Sequence, residues 1–446
     1  MHVRSWASRW LPVALGLALL CPTVRSAFAN GNYSHVWVAG AALKHLPDGE
    51  LRTILQDPHL VNIVRCGAMY PDGGYAMNDG YGEISHWEPF HLAYLQWIRD
   101  HYPAPYSTEA WEHIAFLFGM VSHGLTDQMY DGMYLERAAF YDHAGCSGKP
   151  YGTDGSTDSC FAATQGHLAK PTAWVPAEVL APLYETLGHH VEAQTIQQGF
   201  NLVFFAIVHA DTEGSKPDVI ADYMAACPWA CGHQDDPNAP GSPVTNGAPI
   251  AAYWQVLWGL LNDHQGFDQP LLGTFFDGGS AWGYATDAAS PTSWVSFVVP
   301  RGLDAATVTP DTVVVTRDDG SVVPAGVQVY YGTNSHLVNV KPLADWPAES
   351  VFTVTASPPL ATWNGLTLAA PLSFQFGTIA EPPVAQPDVV EPGPDVADTV
   401  PDASDVAAGG GSGGCSLGEP RVAPLPLGVL ALLLALARRR PRPARP

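Results

Sequence analysis

Basic side chains are scarce in this 446-residue sequence: 20 Lys and Arg stand against 43 Asp and Glu, a formal net charge of −23. Nine of those bases are arginines near the two ends (Arg4, Arg9, Arg25, Arg421, Arg438, Arg439, Arg440, Arg442 and Arg445), so the middle of the chain is more acidic still. An acidic surface repels polyanions, which argues against a nucleic-acid partner. Outside the low-complexity run "GGGSGG" several catalytic fingerprints are absent too: no G-x-S-x-G elbow, no P-loop and no dinucleotide-binding glycine pattern. The C-terminal run "PLPLGVLALLLALA" has 14 residues, short of the roughly 20 that span a bilayer comfortably.

The two ends carry address-like signals instead. Residues 1–29 combine Arg4 and Arg9 with the apolar stretch "LPVALGLALLC" and close on "AFA" before Asn30. That order is expected of a secretory signal peptide with an A-x-A-type cleavage site. Cys21 follows Leu20, not a small residue, so no lipoprotein box is read there. Residues 415–446 join Cys415 to the short apolar run and a basic stop, "RRRPRPARP", the composition of a sorting or anchoring tail. Export permits disulfides among the five cysteines between the ends. Cys146 with Cys160 would close a Gly/Ser/Asp-rich loop, Cys227 with Cys231 in "CPWACGH" would bridge locally or else bind metal with His233, the bridge being preferred, and Cys66 is left as the odd thiol.

Hydrophobic residues make up 47% of the chain and aromatics 11%, enough for a sizeable core. Residues 30–283 read as helical. "SHVWVAGAALKHL" (34–46), "TEAWEHIAFLFGMVSHGLTDQM" (108–129), "AEVLAPLYETLGHHVEAQTIQQGFNLVFFAIV" (177–208) and "PIAAYWQVLWGLLNDH" (249–264) place apolar residues three to four apart. From 284 to 378 the period changes to short β-branched and aromatic runs such as "TVVVTRDDG", "VQVYYGTN" and "VFTVTASP", separated by turn residues. A small all-β sandwich is expected there, and the segment resembles bacterial Ig-like modules. Residues 379–414 are acidic, rich in proline and end in "GGGSGG", the composition of an extended linker. The chain is therefore expected to be multidomain: a mainly α-helical domain, then the sandwich, the linker and the tail. That tail resembles the MYXO-CTERM type of sorting tail, which implies display at the cell surface.

The helix over 108–129 raises a chemical question. His123 and Asp127 lie four residues apart within an otherwise apolar run. Residues at that spacing sit about 6 Å apart on one helix face, so the two could share a hydrogen bond or a cation. Zinc takes imidazole nitrogen and carboxylate oxygen at roughly 2.0–2.2 Å, and His86 in "ISHWEP" is a third donor. Trp87 beside His86, Trp37 near His35 and Tyr75 near Asp72 are candidate walls of a substrate pocket.

In order, "SHVWVAGAALKHL", "PDGGY", "SHWEPFHLAYLQWIRDHYP" and "AFLFGMVSHGLTDQMYD" resemble the N-terminal domain of glycosylphosphatidylinositol-specific phospholipase D and, more distantly, the zinc-dependent phospholipases C. The resemblance covers at least residues 34–188. It implies a zinc-dependent phospholipase fold holding two to three Zn2+ ions. His86, His123 and Asp127 would hold one ion. His35 would hold a second, with Asp127 bridging and the mature N-terminus at Asn30 completing the set. Asp72 matches a carboxylate expected as general base. Where the family has a further histidine, this sequence offers Asp131 or Met133, with His143 and Asp154 or Asp158 as the following pair. The implied activity is metal-assisted hydrolysis of phosphodiester headgroups at a membrane surface, of C or D type. Two alternatives stay open: a zinc nuclease or nucleotidase of the same fold, and a surface adhesin whose zinc site is degraded at Asp131.

Overall fold

The computed structural model describes residues 31–142, 152–262, 267, 271–276 and 285–380. The expected signal peptide, Asn30, His143, Cys146, the linker beyond residue 380 and the tail lie outside them. From Asn32 to Leu261 the described chain is helical: α1 (Asn32–His45), α2 (Glu50–Leu55), α3 (Pro58–Met69), α4 (Asp72–Met77), α5 (Tyr81–Ser85), α6 (Glu88–His101) and α7 (Thr108–Met129). A π-helical turn (Tyr130–Leu135) and α8 (Glu136–Asp142) follow. The helical part ends with α9 (Gly152–Gln165), α10 (Ala177–Thr186), α11 (Ala193–Gly214), α12 (Pro217–Ala226), α13 (Pro228–Gly232) and α14 (Pro243–Leu261).

Helix α7 is the axis of this part. Ser107 caps it, the hydroxyl oxygen accepting from Ala110 N–H at 3.2 Å, a contact worth about 1 kcal/mol. Nearly every residue from Ala110 to Met129 is buried, as expected of a helix apolar all round and enclosed by others. Helix α3 begins behind an Asp57 cap with Pro58 in its first turn and crosses α7 at two glycines. A Cβ on Gly67 would lie 2.2 Å from Phe116 O, and one on Gly119 would lie 2.0 Å from Val64 O. Backbone therefore meets backbone at this crossing, with no side chain between. Across α7 from α3, Trp254 of α14 donates its indole N–H to Phe118 O at 2.8 Å.

The apolar run over 177–208 is two helices, not one. Gly188 adopts φ +79°, donates to Glu185 O, and is followed by His189 donating to Tyr184 O. These are the paired bonds of a Schellman stop, which favours glycine at the left-handed position.

The β region packs two sheets over one apolar core. The first has strand order β1 (Gly273–Phe276), β3 (Val295–Val298), β7 (Leu337–Pro342), β6 (Ala325–Val329) and is antiparallel throughout. The second runs β2 (Ala285–Ala289), β9 (Leu372–Thr378), β8 (Val351–Ala356), β4 (Val313–Arg317), β5 (Val322–Val323), with β2 parallel to β9 and the other pairs antiparallel. Strand β8 alternates buried and half-buried residues, the period-two pattern of a sheet with one face in the core. Register sets Phe352 opposite Phe376 and Val354 opposite Phe374. Phe374 also meets Phe297 of the first sheet, ring centroids 5.7 Å apart.

The helical and β regions are joined by buried polar contacts. Glu88, at the start of α6, accepts from Arg301 Nε at 2.8 Å, Gly302 N at 3.0 Å and the Trp363 indole at 2.6 Å. Gln128 Oε1 accepts from Ser335 Oγ at 2.9 Å and His336 N at 2.7 Å, and Asn339 donates to Gly132 O at 3.3 Å.

The cysteine pairing differs from the sequence expectation. Cys160 of α9 bonds to Cys231 of α13, 71 residues away, so neither the Cys146–Cys160 nor the Cys227–Cys231 bridge forms. Cys227 is itself disulfide-bonded, and its sulfur stays 3.9 Å from that of Cys231. The reason is tertiary: α9 packs on α13 and presents Cys160 to Cys231, while the helical spacing of Cys227 and Cys231 keeps their sulfurs apart. Cys66 is free and buried. Among the described residues no helix is long and apolar enough to cross a membrane.

Candidate metal centre

Four helices deliver polar side chains to one buried point beside α7. His123 is fully buried, and its Nδ1 lies 2.7 Å from Ala68 O at the end of α3. A carbonyl oxygen only accepts, so Nδ1 carries the proton and Nε2 is left as a bare acceptor. The glycine crossing of α3 on α7 is what brings Ala68 O within reach. His86 repeats the arrangement at the end of α5: its Nδ1 lies 2.6 Å from Gly82 O, and its Nε2 also points inward. Gly124 makes room for it, since a Cβ there would lie 2.2 Å from His86 O.

The two inward nitrogens, His86 Nε2 and His123 Nε2, stand 3.1 Å apart. With both rings neutral, lone pair would face lone pair in a buried site, so a positive charge, whether a proton or a metal ion, has to lie between or beside them. Asp127 completes the surroundings: Oδ2 is 3.1 Å from His86 Nε2 and 3.4 Å from His123 Nε2, and Oδ1 is 3.1 Å from His35 Nε2. Despite this proximity, neither Asp127 oxygen has a hydrogen bond of sound geometry, and both are shut off from solvent. His35, on α1, stacks on His123 with ring centroids 3.6 Å apart. Asp72, opening α4, lies 3.6 Å from His123 Nε2 through Oδ1, while its Oδ2 accepts from Asn32 Nδ2 at 2.9 Å.

Two sets of three donors, His35–His123–Asp127 and Asp72–His86–His123, each fall within 4.8 Å of one another. The donor chemistry fits zinc, which binds imidazole and carboxylate, and imidazoles fixed through their second nitrogen are the usual support of such ligands. Because His123 Nδ1 is engaged with Ala68, His123 can serve only one ion. Asp127, with two oxygens directed at different histidines, is the group able to bridge two.

Protonation equilibria show the same demand for positive charge. Burial would raise Asp127, but the nearby imidazoles of His35, His123 and His86 hold it below the ordinary carboxylate range. Burial would lower His86, but Asp127 raises it to about 8; His35 is raised from its ordinary value for the same reason. His123 is pushed down, first by burial and then by His35.

Asp131 belongs to neither set of three. The π-helical turn begins after Met129, and widening to i→i+5 bonding alters the rotation per residue. Asp131 Oδ2 accepts from Tyr330 OH at 3.3 Å, and its Oδ1 is buried without a partner. Its pKa and that of Asp154 are pushed well up, first by burial and then by Asp127. Asp158 has another task. It accepts from Tyr33 N, Ser34 N and Ser34 Oγ at 3.0, 2.8 and 2.7 Å, capping α1 one residue before His35.

A cavity of about 50 Å³ opens onto the centre, lined by Tyr75, Glu83, His86, Trp87, Gly124, Asp127, Gln128, Asp131, Tyr330 and Tyr331. Tyr75 and Trp87 are thus walls, as the sequence suggested; Trp37 is not, because it packs edge-on against Phe161 at 5.1 Å. Sequence reasoning missed Asn32, which holds Asp72, and Glu83, whose two oxygens accept from Tyr75 OH and Trp87 Nε1, each at 2.7 Å. It also missed Tyr330 and Tyr331. One signal was present: adjacent tyrosines at a strand end cannot both face one side of a sheet.

A mainly helical scaffold with a buried His/Asp centre able to take metal ions is the class that fold and site define. Comparison with known proteins narrows it. The chain is 31% identical over 141 residues to phosphatidylinositol-glycan-specific phospholipase D of Bos taurus, a match covering 29% of this chain and 16% of that protein. The same enzyme of Rattus norvegicus matches at 27% over 199 residues, and that of Mus musculus at 27% over 193, each covering 40% of this chain and 22% of the relative. The chain thus spans less than a quarter of the length of these relatives. This distant homology supports a phospholipase-related hydrolase. No family model matches the chain. Against solved structures, the N-terminal part of the bacterial S-layer protein SbsC aligns with 74% of this chain and 79% of its own at 11% identity, with a TM-score of 0.21, too loose a superposition to bear on fold or function.

Proposed function

We propose that this chain is an exported zinc-dependent phosphodiester hydrolase acting on phospholipid headgroups. The observation that carries it is the convergence of the inward Nε2 atoms of His86 and His123, 3.1 Å apart, on a buried Asp127 with no sound hydrogen bond. The distant homology to a phospholipase D supports the choice of substrate class. His86, His123 and Asp127 would hold one zinc, and His35 with Asp127 a second. Asp131, His143 and the mature N-terminus at Asn30 remain the candidates for completing two to three ions. When bound, zinc neutralises phosphodiester charge and acidifies water. Asp72 would accept a proton as general base, oriented by Asn32; its place within one donor set also suits it to ligation. The β region, read as an Ig-like module, would be a fixed part of the enzyme. The signal peptide and C-terminal tail would carry it to the cell surface.

The test pairs metal analysis with hydrolysis of p-nitrophenylphosphorylcholine and of single-stranded DNA. Bound zinc and cleavage of the choline ester, both lost in His123→Ala with the helical circular dichroism intact, are expected. DNA cleavage instead would select the nuclease alternative. A metal-free protein whose His123→Ala variant behaves like the parent would refute a hydrolytic centre here. Mass spectrometry of products from mixed phospholipids would then identify the bond cleaved.

A further inference from the structure

We propose that the β region gates the centre: Tyr330 and Tyr331, at the turn between β6 and β7, set the size of the organic group that reaches it. This rests on the hydrolase proposed above, but it concerns residues outside the metal-binding set. The turn is not loosely apposed. Tyr331 stacks on Trp87 with ring centroids 5.1 Å apart and planes 25° from parallel, and Tyr330 donates its hydroxyl to Asp131 Oδ2. Behind them, Ser335 and His336 both donate to Gln128, the residue next to Asp127 on α7. The connection that carries the gate is therefore fastened to the helical turn that carries a ligand.

The opposite wall is equally fixed. Glu83 accepts from both Trp87 and Tyr75, so the indole under Tyr331 is held from its other side. Between these walls the cavity is about 50 Å³. That is room for one or two waters, whereas sites for organic ligands run to hundreds of Å³. An organic substituent on a phosphodiester can reach Asp127 only if the Tyr331 ring leaves Trp87. Tyr331 is 62% exposed, so its departure disturbs no core. Tyr331 sits at φ +59°, a backbone region that side chains disfavour.

The experiment uses the full chain loaded with zinc. Two quantities are read for wild type, Tyr331→Ala and Tyr331→Phe: the rate at which dipicolinate strips the metal, and the ratio of kcat/KM for p-nitrophenylphosphorylcholine to that for methyl p-nitrophenyl phosphate. Tyr331→Ala is expected to raise both by about 10-fold, the scale on which a pocket wall discriminates by size. Tyr331→Phe, which keeps the stack, should restore the wild-type ratio. Zinc-loaded Tyr331→Ala with both quantities unchanged overturns the gate and leaves the hydrolase standing. If wild type binds no metal and cleaves neither ester, the hydrolase falls and the gate falls with it.

Discussion

Helix α7 carries two buried histidines ten residues apart, and they differ in everything except burial. His113 is 5% exposed and His123 fully buried. His113 meets the Tyr94 hydroxyl at 2.7 Å and is boxed by the rings of Trp97, Tyr102 and Trp174. His123 has its outer nitrogen on a carbonyl and its inner one facing His86, Asp72 and Asp127. One end of the helix offers a neutral ring a neutral partner; the other gathers more acceptors than donors. What marks a metal centre is therefore the unsatisfied surplus of acceptors, not the burial of an imidazole.

The sharpest way to break the comparison is to truncate each histidine. His123→Ala should lower metal affinity and hydrolysis by at least about 100-fold, beyond what loss of a supporting contact produces, as read by zinc stoichiometry and ester hydrolysis. A variant that keeps full zinc occupancy would erase the distinction between the two ends.

Next in size is the junction that holds the β region against the centre. Glu88→Ala leaves Arg301, 2% exposed, without its carboxylate. Stranding one member of a buried ion pair costs about 3–5 kcal/mol, measurable as a lower denaturant midpoint. Zinc binding at the His123 end should weaken less than in His123→Ala, because Glu88 is in neither donor set and bears on the centre only by holding its surroundings in place.

His113→Ala should cost about 2–4 kcal/mol through the cavity and the stranded Tyr94 hydroxyl, with zinc stoichiometry unchanged. Loss of zinc in this variant would show that the two ends are coupled.

How much of this was legible in the sequence follows from distance along the chain. The four-residue spacing of His123 and Asp127 is a property of any helix, so their shared face could be read directly. His86 stood out as a further imidazole donor, the roles of His35 and Asp72 came with the resemblance, and the structure brings all three to His123. The cysteine pairs were misread, because spacing suggested local bridges while helix packing joins Cys160 to Cys231. Asp131 and Tyr330 are 199 residues apart, and Glu88 and Arg301 are 213 apart. No local period encodes such partners; they appear only once two regions meet. Gly188 could have been read as a helix stop from "TLGHH", since glycine is the residue such stops favour.

The smallest effect tests the neutral end of α7 alone. Burial is the main cause holding His113 down at about 4; His101 lowers it further, and Glu109 and Glu112 only partly oppose this. An unfolded chain would release that proton near 6.5. Between those values the unfolded state binds more protons than the folded one, so stability must rise with pH across the interval. The contribution is complete above about pH 6.5 and is lost as pH falls toward 4. His113→Gln, which keeps a polar group near Tyr94 but cannot titrate, should therefore lose less stability than wild type when the pH is lowered from 7.5 to 5, measured as the shift in urea midpoint. Every other titrating group is common to both proteins, so the difference between the two shifts isolates this ring. Parallel shifts would mean that His113 accepts a proton in the fold as readily as in water, and its end of the helix would then be no more neutral than the end that gathers acids.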